Sequence, residues 1–171
     1  MEIKERIMKY LKDKRGEIGD IKITKQKNKD GINLLYARVS KFEEKKENDY
    51  VNMATYYTFN NKGHYVGAVI VVVLNPTTVE LMYFADTFQR NKGNMTIVSR
   101  EVIKEVFEEK VYDSLIIKEG EPVTKIDTII VEVNKDNPAS QKVARKLGFD
   151  EEGYLTLKDY KEAKAKQYIK K

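Results

Sequence analysis

The chain has no cysteine and a single histidine, His64, among its 171 residues. The first lack excludes disulfides, thiolate metal sites and cysteine nucleophiles. The second excludes a histidine-based metal cluster. Long hydrophobic runs are missing as well. The longest, residues 66–74 (VGAVIVVVL), is about half of the roughly 20 residues that a helix needs to cross a bilayer. The start, MEIKERIMKYLKDKRG, carries acids and has no apolar centre, so it does not read as a secretory signal. These lacks point to a cytoplasmic protein with no membrane partner. Blocks of like charge are absent too: 32 Lys and Arg stand against 27 Asp and Glu, a net charge of +5, and the two signs are interleaved. A nucleic-acid binder would show a basic stripe with stacking aromatics, and none is visible. Nucleic acid is therefore disfavoured, with net charge as its one argument.

No repeat and no domain-length linker divides the chain, and its length suits one domain with a proper core. Ile3, Ile7, Met8 and Leu11 fit one face of a helix ending near Gly16. Residues 21–25 and 32–39 read as strands around a turn at 27–31, and 41–49 (KFEEKKEND) reads as a charged loop. A clearer hairpin follows, with VNMATYYTF and HYVGAVIVVVL joined by NNKG at 60–63. Residues 78–85 (TVELMYFA) make another strand. After Gly93 the period changes, and Val98, Val102, Ile103, Val106 and Phe107 form a helical stripe. A polar, poorly patterned stretch spans 108–125, then 126–133 (IDTIIVEV) reads as a buried strand and 154–157 (YLTL) as another. The tail from 158 suits either a helix or a closing strand. The sum is a mixed α/β fold, a mostly antiparallel sheet with helices on its faces.

Two stretches carry chemical information. In residues 137–149, NPASQKVARKLGF, Asn137 can accept from a first-turn amide as an N-cap and Pro138 falls where a missing N–H costs nothing. Ala139, Val143 and Leu147 give an apolar stripe, and Gly148 with Phe149 supplies the stop. In residues 80–96, ELMYFADTFQRNKGNMT, a strand passes through a turn with one glycine, Gly93, into a helix start. Such a start presents unpaired amides and the positive end of a helix dipole, which together bind phosphates. Arg90 and Lys92 add charge suited to a pyrophosphate. The stretch is neither a P-loop nor a dinucleotide fingerprint, because the required glycines and the Lys-Ser/Thr pair are missing.

Taken together, the two stretches resemble the GCN5-related N-acetyltransferase superfamily, most closely its ribosomal-protein N-terminal acetyltransferase-like branch. RNKGNMT at 90–96 is similar to the family's pyrophosphate loop, residues 80–90 to the preceding strand with Glu80 and Tyr83 in place, and 137–149 to the Asn-x-x-Ser…Lys-Leu-Gly-Phe helix. The resemblance covers residues 63–158 as an acetyl-CoA-binding core, with 1–62 atypical, in a single domain of 1–171. It implies two central strands that splay apart around acetyl-CoA, with Phe84, Ala85, Arg90, Asn91, Lys92, Gly93, Asn94, Met95, Thr96, Asn137 and Ser140 as cofactor contacts. It implies direct acetyl transfer to a primary amine, on a small molecule or a protein N-terminus. Glu80 would be the base, a backbone N–H near Phe84 or Ala85 the oxyanion donor, and Ser140 the acid. A homodimer is left open.

The chain departs from the pattern in three places. Met95 stands where relatives have Gly or Ala and would crowd the pyrophosphate, Ala144 replaces a common tyrosine, and residues 20–62 lack the usual two helices. The alternative reading is a non-catalytic relative that binds a protein partner, with or without acyl-CoA, in the same cleft. Tyr56, Tyr57 and Tyr65 are candidates for an acceptor pocket, the acid pairs at 108–109 and 151–152 are candidates to attract a cation, and His64 reads as structural.

Overall fold

A computed structural model describes residues 2–12, 17–27, 33–46, 49–85, 93–113, 116–118, 121–122, 125–132 and 136–169. The chain opens with helix α1 (Ile3–Lys12), whose Ile7 and Leu11 are fully buried. Five strands then run as an antiparallel meander: β1 (Glu17–Lys27), β2 (Asn33–Lys46), β3 (Asp49–Phe59), β4 (Tyr65–Asn75) and β5 (Thr78–Ala85). Helix α2 (Asn94–Phe107) follows, then the short strands β6 (Ile116–Lys118) and β7 (Glu121–Pro122) and strand β8 (Thr128–Val131). Helix α3 (Pro138–Leu147), strand β9 (Tyr154–Thr156) and helix α4 (Leu157–Ile169) complete the chain. The sheet order is β1-β2-β3-β4-β5-β8-β9, and β5–β8 is its one parallel pair among the described residues. No described helix is long and apolar enough to cross a membrane.

Strand register divides the side chains between two faces, because neighbours along a strand point opposite ways. Tyr36, Tyr56, Val69, Val71, Leu81, Val79, Ile129 and Leu155 share one face and form the main core with α2 and α3. Ala37, Tyr57, Ala68, Ile70, Val72, Glu80, Met82, Phe84 and Ile130 share the other. Helix α1 covers only part of this second face, packing Ile7 and Leu11 on Ala37, Val39 and Phe59. Tyr10 stacks on Tyr65 at 5.2 Å and meets Tyr57 and Phe59 edge-on. The fold is the expected mixed sheet with helices on both faces.

Several expectations are corrected. The charged loop at 41–49 is mostly strand: β2 runs on to Lys46 and pairs with β3 from Lys41↔Met53 to Lys46↔Asp49. Ladder hydrogen bonds are made by the backbone, so a ribbon reaching past β4 needs no apolar face to form. The ambiguous tail is helix α4, whose Leu157 and Tyr160 pack against the main core. The featureless stretch at 108–125 holds β6, which pairs with the projecting end of β3 at Asp49↔Lys118. The buried strand expected at 126–133 is shorter, Thr128–Val131.

Candidate functional site

Strands β5 and β8 run side by side for four residue pairs, from Thr78↔Thr128 to Leu81↔Val131. There they part. Strand β5 continues to Ala85, paired with β4 as far as Gly67↔Ala85, while β8 ends at Val131. Beyond Leu81 the β8 side of β5 has no strand partner among the described residues. Alternate residues of 82–85 therefore turn their N–H and C=O groups to an opening, and because the Phe84 carbonyl oxygen points at Gly67 on β4, those residues are Tyr83 and Ala85.

Helix α3 walls this opening. Asn137 Oδ1 accepts from the Ser140 N–H at 3.1 Å, Pro138 starts the helix, and Gly148 ends it at φ 100°. The Phe149 N–H then bonds the Ala144 carbonyl at 3.1 Å, and the Phe149 ring is buried. The local signals in the sequence thus set the helix as expected, although the Asn137 side chain is engaged as the cap and Ala139 is exposed. Ser140 meets the strand directly. The Tyr83 hydroxyl donates to the Ser140 carbonyl at 2.8 Å and lies 3.2 Å from its Oγ. Burial raises the Tyr83 pKa, against the opposing effect of the Ser140 bond, so the phenol holds its proton at neutral pH. Tyr83 served in the sequence only as a family marker. A hydroxyl-bearing residue in register with the apolar Val79 and Leu81 was the clue that it needs a partner.

Helix α2 begins after Gly93, which takes φ 78°, and the Ile97 N–H bonds the Gly93 carbonyl at 3.2 Å. Among the described residues no side chain caps this end, and its first turn holds no acid. The amides of Met95 and Thr96 have no acceptor within the helix, and the positive end of the dipole favours an anion there. Arg90, Asn91 and Lys92 lie outside the described residues. Asn94, Met95 and Thr96 are buried, so they offer an anion their backbone. The expectation that Met95 crowds the pyrophosphate is corrected. Its side chain packs inward against β4, where a Cβ on Gly67 would lie 2.7 Å from Met95 Cε and 2.4 Å from the Phe84 carbonyl oxygen. Ala144, where relatives carry a tyrosine, is also core.

Glu80 sits on the second sheet face, in register with Val72 and Ile130, half-buried and with no hydrogen bond or ion pair among the described residues. It therefore faces away from Tyr83 and Ser140. Three residues of strand put Glu80 and Tyr83 about 10 Å apart along β5. The three candidate pocket tyrosines separate. Tyr56 belongs to the opposite face, fully buried with its hydroxyl 2.7 Å from that of Tyr112, while Tyr57 and Tyr65 lie with Tyr10 on the Glu80 face. Glu108 is engaged by Lys164 and Tyr160, and Glu109 lies 3.7 Å from Lys22. Glu151 and Glu152 are exposed. His64 Nε2 lies 2.7 Å from Arg6 Nη1 on the surface.

No curated protein matches the sequence. Among solved structures, a GNAT-family acetyltransferase from Bacillus anthracis shares 20% identity over 59% of this chain and 54% of its own, with a TM-score of 0.47. A spermidine N-acetyltransferase from Vibrio cholerae, in complex with CoA and spermine, shares 14% identity over 63% of this chain and 68% of its own, with a TM-score of 0.51. At such identities the Vibrio likeness is one of fold. The chain spans about half to two thirds of the length of the structures it matches. A family model described as an acetyltransferase (GNAT) domain matches residues 4–150. The parted strands, the uncapped helix start and this match over most of the sequence agree, and the chain belongs to the GNAT acetyltransferase domain family.

Proposed function

We propose that the protein is an acetyl-CoA-dependent N-acetyltransferase acting on a primary amine. The observation that carries this reading is the parting of β5 from β8 beside the uncapped start of α2. An extended arm with amide groups suits the open edge of β5, and a pyrophosphate suits the first-turn amides of α2 with Arg90 and Lys92 near them in sequence. Asn91, Gly93, Asn94, Met95 and Thr96 would serve through that loop and first turn, and Asn137 and Ser140 from α3. Acetyl-CoA supplies the activated acetyl thioester. Glu80 takes the proton from the ammonium form of the acceptor, directly or through a water. The backbone N–H of Ala85, which faces the opening as that of Phe84 does not, stabilises the developing oxyanion. Ser140 Oγ donates a proton to the departing sulfur and regains one from solvent, while the Tyr83 hydroxyl, bonded to the Ser140 carbonyl and 3.2 Å from its Oγ, holds Ser140 in place. The motifs at 80–96 and 137–149 support a reading nearest the ribosomal-protein N-terminal acetyltransferase-like branch.

The second reading, a non-catalytic relative that binds a protein partner, draws on the absence of a hydroxyl at buried Ala144. Calorimetric titration with acetyl-CoA and with CoA separates the two when combined with turnover. Glu80→Gln should lower kcat by about 100-fold or more while leaving the acetyl-CoA Kd unchanged, and an unchanged kcat removes Glu80 from the mechanism. Binding without turnover of any amine favours the second reading, and binding of neither nucleotide overturns the first and leaves a protein partner to be sought.

A further inference from the structure

On the basis of the acetyltransferase reading, we propose that Glu132 is a specificity-determining residue of the acceptor site, selecting a primary amine with a second positive charge close to it and rejecting one with a carboxylate there. Glu132 follows Val131, the last residue of β8 to pair with β5. The Val131 N–H turns the other way, to the Gly153 carbonyl at 2.8 Å. Main-chain groups alternate in direction along a strand, so those of Glu132 face the opening from the β8 bank, across from Tyr83 and Ala85. Its side chain, two positions past Ile130, shares the sheet face of Glu80 and is exposed. A carboxylate thus stands where the strands part, on the side from which the amine arrives.

Position separates the roles of the two acids. One step past the pair Leu81↔Val131, Glu132 is level with Met82. That is three residues short of Ala85 while Glu80 is five short, about 10 Å against about 17 Å along the strand. An amine attacking an acetyl group whose oxygen is held at Ala85 has Glu132 as its nearer acid, and Glu80 is reached through water. The part of the acceptor that follows the amine out toward solvent passes Glu132. No cation of these strands offsets it. Strands β4, β5, β8 and β9 contain no Lys, Arg or His. Helix α1 carries Lys4, Arg6, Lys9 and Lys12, but it packs over Ala37, Val39 and Phe59 of β2 and β3. The turn at 150–153, tied beside Glu132 by the Val131–Gly153 bond, adds the exposed Glu151 and Glu152. A field of one sign draws a second cation and opposes an anion, which discriminates between amines of equal size.

The test compares three acceptors with the same alkyl chain and different far ends: butylamine, putrescine and γ-aminobutyrate, by kcat/KM with acetyl-CoA. Putrescine should exceed butylamine by about fivefold after allowing for its two equivalent ends, and γ-aminobutyrate should fall about fivefold below it. Both gaps should shrink in about 1 M salt. Glu132→Gln should narrow them with the acetyl-CoA Kd unchanged, and Glu132→Lys should reverse the order of putrescine and γ-aminobutyrate. An equal loss with all three acceptors in Glu132→Gln, or the parent's order kept in Glu132→Lys, overturns the inference and leaves the acetyltransferase reading standing. A parent that does not discriminate, or that prefers γ-aminobutyrate, does the same. Acetyl-CoA binding with none of the three acetylated also overturns it. Absence of both binding and turnover removes the acetyltransferase reading as well.

Discussion

A carboxylate that is 2% exposed in the last turn of a helix would be costly if alone, and Glu105 of α2 is accompanied. Lys22 lies 2.8 Å away, Arg38 at 3.4 Å and the Tyr36 hydroxyl at 3.5 Å, so β1 and β2 are bound to α2 through one side chain. Burial acts to lower the Lys22 pKa, but the hydrogen bond and charge of Glu105 outweigh it and the net shift is upward. Burial, then Glu105, pushes Tyr36 up, and burial does the same for Tyr56 and Tyr112, so these phenols stay neutral. Glu108, at the end of the same helix, is a more exposed case with a testable pH signature. Burial would raise its pKa, but hydrogen bonds from Lys164 and Tyr160 bring it below 4.5. The folded state then binds this proton less readily than the unfolded one. The stabilisation is present above pH 4.5 and fades as pH falls through the lower folded value. Glu108→Gln should therefore melt earlier than the parent at neutral pH, with the gap closing in acid. Thermal unfolding of both proteins from about pH 3 to 7 measures it, and a gap independent of pH would show that the carboxylate charge contributes nothing.

Among the elements, the β4–β5 contact at Gly67 controls the site. Gly67 has φ 155°, and any Cβ there would come within 2.4 Å of the Phe84 carbonyl oxygen. That oxygen is backbone and cannot swing aside. Gly67→Ala should push β5 away from β4 where β5 also leaves β8, costing about 1–3 kcal/mol of stability and weakening acetyl-CoA binding. Adding Met95→Ala relieves the sulfur contact but not the oxygen, so it should not rescue. Restored binding in the double variant, measured by calorimetry, would place the constraint in Met95 instead. Elements of this kind differ in how far sequence reveals them. Helix α3 was legible because its cap, proline, stripe and glycine stop lie within thirteen consecutive residues and act locally. The hairpin of β3 and β4 was legible from its β-branched runs. Residues 41–46 were not, because their strand is held by backbone pairing with β3 and their side chains carry no apolar alternation. Helix α4 was obscured because its core contacts, Leu157 and Tyr160, do not repeat along it. The site divides the same way. Gly93 and the cap at Asn137 could be read directly, whereas Tyr83 meets Ser140 across 57 positions of chain, and the opposite faces of Tyr56 and Tyr57 became clear only through register.

At the scale of the whole molecule, the sheet joins two unequal parts. The meander β1–β5 pairs each strand with its neighbour in sequence, so its contacts close short loops. The second part, β8 and β9, has strands of four and three residues and holds to the first through four parallel pairs. Its opening free energy should be the smaller. Native-state hydrogen exchange should find the β8 and β9 amides exchanging well before those of β3 and β4, and acetyl-CoA should slow the β8 and α3 amides most, because ligand binding stabilises what it requires to be formed. Equal protection of both parts would contradict this. The orientation of Glu80 and Ser140 has a further consequence. They face opposite sides of one sheet, so the sheet acts as a partition with a single gap. In the proposed reaction the amine waits in one room and the sulfur in the other. The acetyl group passes through the wall between them, both guests can be present together, and either product can leave by its own door.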